Sequence, residues 1–320
     1  MGETAQDDPD PTVEGSARPA EARSEPHEPQ TIDRYVILGT VGEGAMGIVY
    51  RAFDPDLDRA VALKVLRDRR SRQADRGTRF LREAQSLARL KHPNVVTVYD
   101  VGFVGDQMFI SMELVDGMAL SAWLAAEPRK WRETLAVVIS AGRGLAAAHQ
   151  AGLVHRDVKP DNILIGRDGV SRIADFGLAR MAGERDDEAG PATISDERSY
   201  SVLAEPLTRT GSILGTPKYM APEQAAGATS GPRGDQFSFC VALYEALYGE
   251  HPFDASSQAV LQLAIHRGEV RPPPRGSAVP AWVREPLLVG LRADPDRRHG
   301  SMTELLQALA RDPAPRRRAI

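Results

Sequence analysis

The stretch Val154–Leu164, VHRDVKPDNIL, sets His155, Arg156, Asp157, Lys159, Asp161 and Asn162 among the apolar residues Val154, Val158, Ile163 and Leu164. The apolar positions pin such a segment to a core. Charged groups carried into a core without partners are strongly destabilising, so a chain that keeps so many of them there must put them to use. What the use is depends on the rest of the sequence.

The chain has 320 residues and a mass of 34.8 kDa, enough for one large domain or two lobes with a sizeable core. Its formal charge of −4 is unevenly spread. Residues 1–33 hold nine Asp or Glu against two Arg, and residues 311–320 hold four Arg against one Asp, which leaves the body neutral. A neutral body argues against nucleic acid as a partner, since phosphate backbones call for a strongly basic face. The single cysteine, Cys240, excludes an internal disulfide framework and fits a reducing, cytoplasmic setting. Its apolar surroundings, FSFCVALYEAL, make it a buried structural thiol. No signal peptide is recognisable at the acidic amino terminus, and no run of 18 apolar residues could span a bilayer.

Residues 1–33 are rich in Pro, Glu, Asp and Ala and nearly empty of large apolar side chains, so the expectation is a disordered acidic leader. From Tyr35 onward short β-type runs take over: RYVILGTV, GIVYRAF, RAVALKVL, VVTVYDVGFV and QMFISMEL. One helical stretch, GTRFLREAQSLARLKH, interrupts them, with Phe80, Leu81, Ala84, Leu87 and Leu90 at helical spacing. Beyond Asp116 the patterns are helical, through ALSAWLAA, ETLAVVISAGRGLAAAHQAG, GDQFSFCVALYEALYG, SQAVLQLAIHRG, VPAWVREPLLVGLRAD and SMTELLQALARD. The fold class is therefore α+β, a small antiparallel sheet with one helix followed by a larger, mainly helical part. Met181–Ser212 reads as a long polar loop, of the kind that is functional or disordered.

Four features carry chemistry. Gly42, Gly44 and Gly47 form G-x-G-x-x-G in VGEGAMGIVY. A Rossmann turn would lead into a helix and a Walker A loop would continue Gly-Lys-Ser/Thr, whereas here the β-type run GIVYRAF follows. A glycine-rich hairpin remains, its missing side chains letting backbone N–H groups approach a phosphate. Lys64 lies on an apolar strand, AVALKVL, and Glu83 shares the inward face of the helical stretch with Phe80 and Leu87, so the two could meet over a partly desolvated site. The opening stretch is the third feature. The fourth is ADFGLAR, Ala174–Arg180; the hairpin ILIGRDGVSRIA between them would bring Asp157, Asn162 and Asp175 to one edge.

Together with GTPKYMAPE, Asp235 in GDQFSF and Arg298 in DPDRRHGSM, these motifs make the chain resemble the eukaryotic-type serine/threonine protein kinases, most of all their bacterial, Hanks-type members. The resemblance implies a two-lobed kinase domain over 34–312, with an N-lobe at 34–115, a C-lobe at 116–312 and a basic tail at 313–320. It implies transfer of the γ-phosphate of ATP to Ser or Thr of protein substrates, with Mg²⁺ or Mn²⁺, and autophosphorylation on the long loop. By the same resemblance, Asp157 receives or orients the substrate hydroxyl, Lys159 neutralises the transferred phosphoryl group, Asn162 and Asp175 hold the metal, and Lys64, braced by Glu83, binds the α- and β-phosphates. Val41, Val49, Ala62 and Leu164 would sandwich adenine, Met112 would be the gatekeeper, and Glu113 and Val115 would offer hinge backbone groups. Glu223 and Arg298 would form an ion pair, Asp235 would hold the catalytic-loop backbone, His155 would be structural and Arg156 would await a loop phosphate. The expected partners are protein substrates, and a second copy of the chain for trans-autophosphorylation. The rival is a pseudokinase scaffold, which usually lacks the strand lysine or one of the two aspartates; this chain keeps all three.

Overall fold

Strand RAVALKVL, at Arg59–Leu66, shows how the first lobe is layered. Successive side chains of a strand point to opposite faces. Val61 and Leu63 pack into a small cluster with Tyr35, Ala52 and Phe109, while Ala62 and Leu66 join the main core on the other face. Lys64 shares that second face and is buried. The computed structural model in which this is seen describes residues 2, 30–44, 47–67, 84–105, 107–176, 217–228 and 230–312.

The first-lobe sheet runs in the order β1-β2-β3-β4-β6-β5, every neighbouring pair antiparallel. Its strands are β1 (Thr31–Ile32), β2 (Tyr35–Gly44), β3 (Gly47–Asp54), β4 (Arg59–Leu66), β5 (Val98–Val104) and β6 (Gln107–Glu113). Register puts Gly42 opposite Val49, Val49 opposite Lys64 and Lys64 opposite Ile110, so the glycine-rich hairpin and the strand lysine lie along one line across the sheet. The expected leader ends too late in the sequence reading. Thr31 and Ile32 pair with β2, and Gln30 O accepts the Ile37 N–H at 2.9 Å, because Ile32 supplies an apolar side chain to the small cluster. The rest of the leader, residues 3–29, and the tail 313–320 lie outside the described residues, as do Glu83, Phe80 and Leu81 of the helical stretch. Of that stretch residues 84–89, here α1, are helical, with Ala84 and Leu87 buried.

The second lobe starts with a three-stranded sheet of β7 (Gly117–Ala119), β8 (Ile163–Gly166) and β9 (Ser171–Ile173). Around it lie α2 (Leu120–Ala126), α3 (Trp131–Gln150), α4 (Pro222–Ala225), α5 (Pro232–Tyr248), α6 (Gln258–Arg267), α7 (Ala281–Gly290) and α8 (Met302–Leu309). Helix α5 is buried at every position from Gly234 to Tyr244. Its sequence shows no apolar stripe because it is apolar all round, as a helix through the middle of a core must be. It ends at Gly249, whose positive φ of 74° suits glycine.

Residues 94–96 tie the lobes together. Asn94 O accepts the Ile173 N–H at 2.9 Å and Ile173 O accepts the Val96 N–H at 3.0 Å, while the Asn94 side chain donates to Ser140 Oγ at 2.7 Å and Ser171 O at 2.8 Å. Gly144 of α3 permits this approach, since a Cβ there would stand 2.1 Å from Asn94 O. Among the described residues no helix is long and apolar enough to cross a membrane.

Candidate active site

The segment from His155 to Lys159 is irregular backbone that leads into a 3-10 turn at Pro160–Asn162, and its shape is imposed by α5. Asp235, in the first turn of that helix and 1% exposed, accepts the backbone N–H of His155 through Oδ2 and that of Arg156 through Oδ1, both at 2.7 Å. Arg156 takes a left-handed φ of 65°, sparsely populated for a residue with a side chain. Two charge-assisted bonds from one buried carboxylate can hold such a conformation. A third partner is His149, from the end of α3, whose Nε2 lies 2.8 Å from Asp235 Oδ2. Gln224 of α4 fastens the far side, its Nε2 donating to Arg156 O at 2.9 Å.

His155 is fully buried and bridges this segment to the next. Its Nδ1 accepts the Asp157 N–H at 3.2 Å, which makes Nε2 the protonated nitrogen that donates to Ala174 O at 2.8 Å. The ring also packs on Phe176 at 4.6 Å between centroids. Burial holds the His155 imidazole below its ordinary pKa and therefore neutral, with Asp235 opposing the shift.

Within this frame Asp157 Oδ2 receives Lys159 Nζ at 2.8 Å and Asn162 Nδ2 at 3.1 Å. The same Asn162 nitrogen donates to Asp157 O at 2.7 Å. Two oxygen acceptors on one side of the amide fix its orientation, so Asn162 Oδ1 faces away from Asp157. Among the described residues Asp157 Oδ1 makes no hydrogen bond. Ala174 N–H donates to Asn162 O at 2.8 Å and brings Asp175 alongside. Asp175, also at positive φ (57°), places Oδ1 2.8 Å from Lys64 Nζ. Lys159 and Asn162 thus meet at Asp157, Lys64 meets Asp175, and the Ala174–Asn162 bond links the two groups, while Glu83 lies outside the described residues.

The residues expected around adenine differ in exposure. Ala62 and Met112 are buried and directly opposed, Val49, Leu164 and Val115 are half-buried against the core, and Val41 is 58% exposed. The Glu113 N–H is taken by Thr97 O at 2.8 Å, so its backbone contact to a base would be through the carbonyl. A Cβ on Gly42 or Gly44 would meet nothing within 4 Å. Packing therefore does not demand glycine at either position, whereas close approach of a ligand to the backbone would. Gly47 differs, since a Cβ there would stand 2.1 Å from Val65 O. The residue types near Asp157 suit a hard divalent cation, which takes carboxylate and amide oxygens such as those of Asp175 and Asn162.

Below the cleft, Arg298 uses all five of its donors. It holds both oxygens of Glu223, at 2.7 and 2.8 Å, and the carbonyls of Arg233, Arg292 and Ala293 at 2.8, 2.9 and 2.9 Å. The turn Pro217–Tyr219 is fixed by Tyr219, which donates to Glu245 Oε2 at 2.5 Å, and by His251 Nε2, which lies 2.8 Å from Lys218 O. Burial raises the Tyr219 hydroxyl above its ordinary pKa and keeps it a donor. His149, Gln224 and Glu245 were not singled out from sequence. Each is a polar residue in or beside an apolar helix whose partner is remote in the chain, and no local spacing marks it.

Residues 35–309 match the protein kinase domain family. The chain belongs to the protein kinases. Relatives include the serine/threonine-protein kinase PknL of Mycobacterium tuberculosis, 40% identical over 80% of this chain and 59% of that protein. PrkC of Bacillus subtilis, another serine/threonine-protein kinase, is 35% identical over 85% of this chain and 39% of its own length. This chain thus spans well under two thirds of both relatives. Among solved structures, the kinase domain of M. tuberculosis PknI superposes with a TM-score of 0.63 at 28% identity, covering 89% of this chain and 98% of that one. A structure of Rad53 with AMP-PNP has a TM-score of 0.68 at 24% identity, a likeness in fold alone. In protein-kinase terms the described lobes are the N- and C-lobes.

Proposed function

We propose that this kinase transfers the γ-phosphate of ATP to serine or threonine hydroxyls of protein substrates. The observation that carries the reading is the knot of Asp157, Lys159 and Asn162 set beside the Lys64–Asp175 pair in a cleft between two lobes. The family uses ATP with a divalent metal, and relatives named serine/threonine-protein kinases support the choice of hydroxyl.

Phosphoryl transfer needs mainly positioning and charge neutralisation. Asp157 Oδ1 accepts the hydrogen of the substrate hydroxyl while Lys159 and Asn162 hold the other oxygen and so aim the carboxylate. The hydroxyl oxygen bonds to the γ-phosphorus as the bond to the β-phosphate bridging oxygen breaks, ADP departs, and the proton passes to Asp157. Lys159 Nζ stands beside that carboxylate and offsets charge on the moving phosphoryl group. Lys64 exchanges its contact with Asp175 for the α- and β-phosphates. Asn162 and Asp175 would hold Mg²⁺ or Mn²⁺, which supplies neutralisation of the phosphate oxygens. Autophosphorylation in trans within a homodimer, and a cytoplasmic setting for the catalytic domain, belong to the same reading; one buried free cysteine is compatible with a reducing compartment.

The test is single-turnover transfer from γ-labelled ATP to a generic protein in the presence of Mg²⁺. Lys64→Met and Asp157→Asn should each lower the rate by at least about a hundredfold. Near-parental rates in both variants would remove these residues from the chemistry.

A further inference from the structure

Glu113 closes β6 where the chain leaves the N-lobe, and its carboxylate is shared between the lobes. On the N-lobe side Oε2 accepts the Thr97 N–H at 3.3 Å. On the C-lobe side Oε1 lies 3.1 Å from Nε of Arg172, on β9. Arg172 is itself held: Nη2 donates to Asp168 Oδ2 at 2.7 Å, and Nη1 to Asp168 Oδ1 and Val170 O, both at 3.3 Å. Asp168 is fixed in the hairpin turn by the Val170 N–H, at 3.0 Å. The Arg172 side chain is 16% exposed and that of Glu113 26%, so the pair is largely shielded from water. Arg172 also stands directly opposite Leu164 across β8 and β9. Opposed residues of an antiparallel pair share a face, so the guanidinium lies on the side of the hairpin that carries the expected floor of the adenine site.

We propose that Arg172 is a positioning residue that latches the hinge, through Glu113, to the β8–β9 hairpin, setting the spacing of the lobes at the cleft and slowing nucleotide exchange. The role in exchange rests on the kinase reading of the cleft. A nucleotide held between two lobes leaves when they part, and parting carries Glu113 away from Arg172. The contact that must break is a partly shielded ion pair, and the cation cannot follow because Asp168 grips its other end. Leu164 and the loop leading to Asp175 belong to the hairpin so gripped, and the Glu113 carbonyl belongs to the hinge, which puts the latch between the two surfaces a base would touch.

The deciding experiment measures release of a fluorescent ADP analogue, with Mg²⁺, from the full chain by stopped flow. Arg172→Leu should release it up to about fivefold faster, the range open to one partly shielded ion pair. Arg172→Lys should fall between, because an ammonium lacks the planar fork that serves Glu113 and Asp168 together. Amide hydrogen exchange of 113–117 and 163–173 without nucleotide is the second readout, and Arg172→Leu should quicken it in both segments. Parental release together with parental exchange in that variant would overturn the latch. Should the parent fail to bind the ADP analogue, the nucleotide reading falls, while exchange still decides whether hinge and hairpin are coupled. If Arg172→Leu does not fold, Asp168→Asn on the exposed turn loosens the same grip from outside. About a twofold quickening of release or of hinge exchange is expected there, and none overturns the proposal.

Discussion

Asn162 shows how much one amide can decide. Its nitrogen faces two oxygens of Asp157, at 2.7 and 3.1 Å, and only an amide offers donors on that side and an acceptor on the other. Asn162→Asp changes almost no volume but sets a carboxylate against the Asp157 carboxylate and carbonyl. The expected result is a fall in single-turnover rate of at least about a hundredfold with a lower unfolding midpoint, both measurable on one preparation. His155 makes a different prediction, about pH. Burial lowers its folded pKa beneath the ordinary 6.5, so the unfolded chain takes up the proton first as pH falls. The stabilisation from keeping this ring neutral is complete above about pH 6.5. Below it, down to the folded pKa, it is lost by up to about 1.4 kcal/mol per pH unit. In urea titrations the stability advantage of the parent over His155→Gln should therefore shrink between about pH 7.5 and about pH 5.5; a constant difference would show that the ring does not titrate differently on folding.

At the scale of elements, the His155–Asn162 segment, the proposed catalytic loop, is shaped by a helix that follows it eighty residues later, through Asp235. This is why the sequence discloses the site unevenly. Asp157, Lys159, Asn162 and Asp175 sit within one loop and hairpin, so their spacing already groups them, and the β-type runs around Lys64 show its strand directly. The role of α5 is harder to read, since a helix apolar on all sides carries no stripe to say what it faces. His149, Gln224 and the Arg172–Glu113 contact depend on how α3, α4 and the hairpin pack, which no local pattern encodes. β1 was missed because two residues are too short to show an alternation. Arg298 was identified only through resemblance, and its surroundings explain its place. With every donor satisfied and no exposure of its side chain, it is a buried cation whose removal strands Glu223. Breaking such a pair from one side is destabilising by about 3–5 kcal/mol, so Arg298→Ala should move the urea midpoint far down. Arg298→Lys should remain well below the parent, since three donors on a flexible stem cannot replace five in a planar fork. A lysine variant as stable as the parent would mean that charge alone matters at this position.

For the whole molecule the open link is the segment 177–216, which lies outside the described residues but whose two ends are well fixed. At one end Phe176 packs on His155; at the other Tyr219 and Lys218 are tied to Glu245 and His251. Between them, just ahead of GTPKYMAPE, stand Thr208, Thr210 and Ser212. A phosphate there would bring about −1.5 to −2 charges and one to three charge-assisted hydrogen bonds. At about 1.5–3 kcal/mol each, such bonds could set a polar loop in one arrangement. Arg156 is the cation nearest in sequence to Asp157, and its backbone is already fixed from both sides by Asp235 and Gln224, so a phosphate drawn to it would be placed relative to the catalytic loop rather than to a mobile support. Incubation with ATP and Mg²⁺ should therefore phosphorylate one or more of Thr208, Thr210 and Ser212, with turnover rising as it proceeds. Arg156→Ala should abolish the rise while keeping a basal rate. The measurement compares phosphatase-treated and autophosphorylated enzyme, parent and variant, with the sites mapped by mass spectrometry. Equal turnover in all four samples would show that activity does not depend on a charge in this loop.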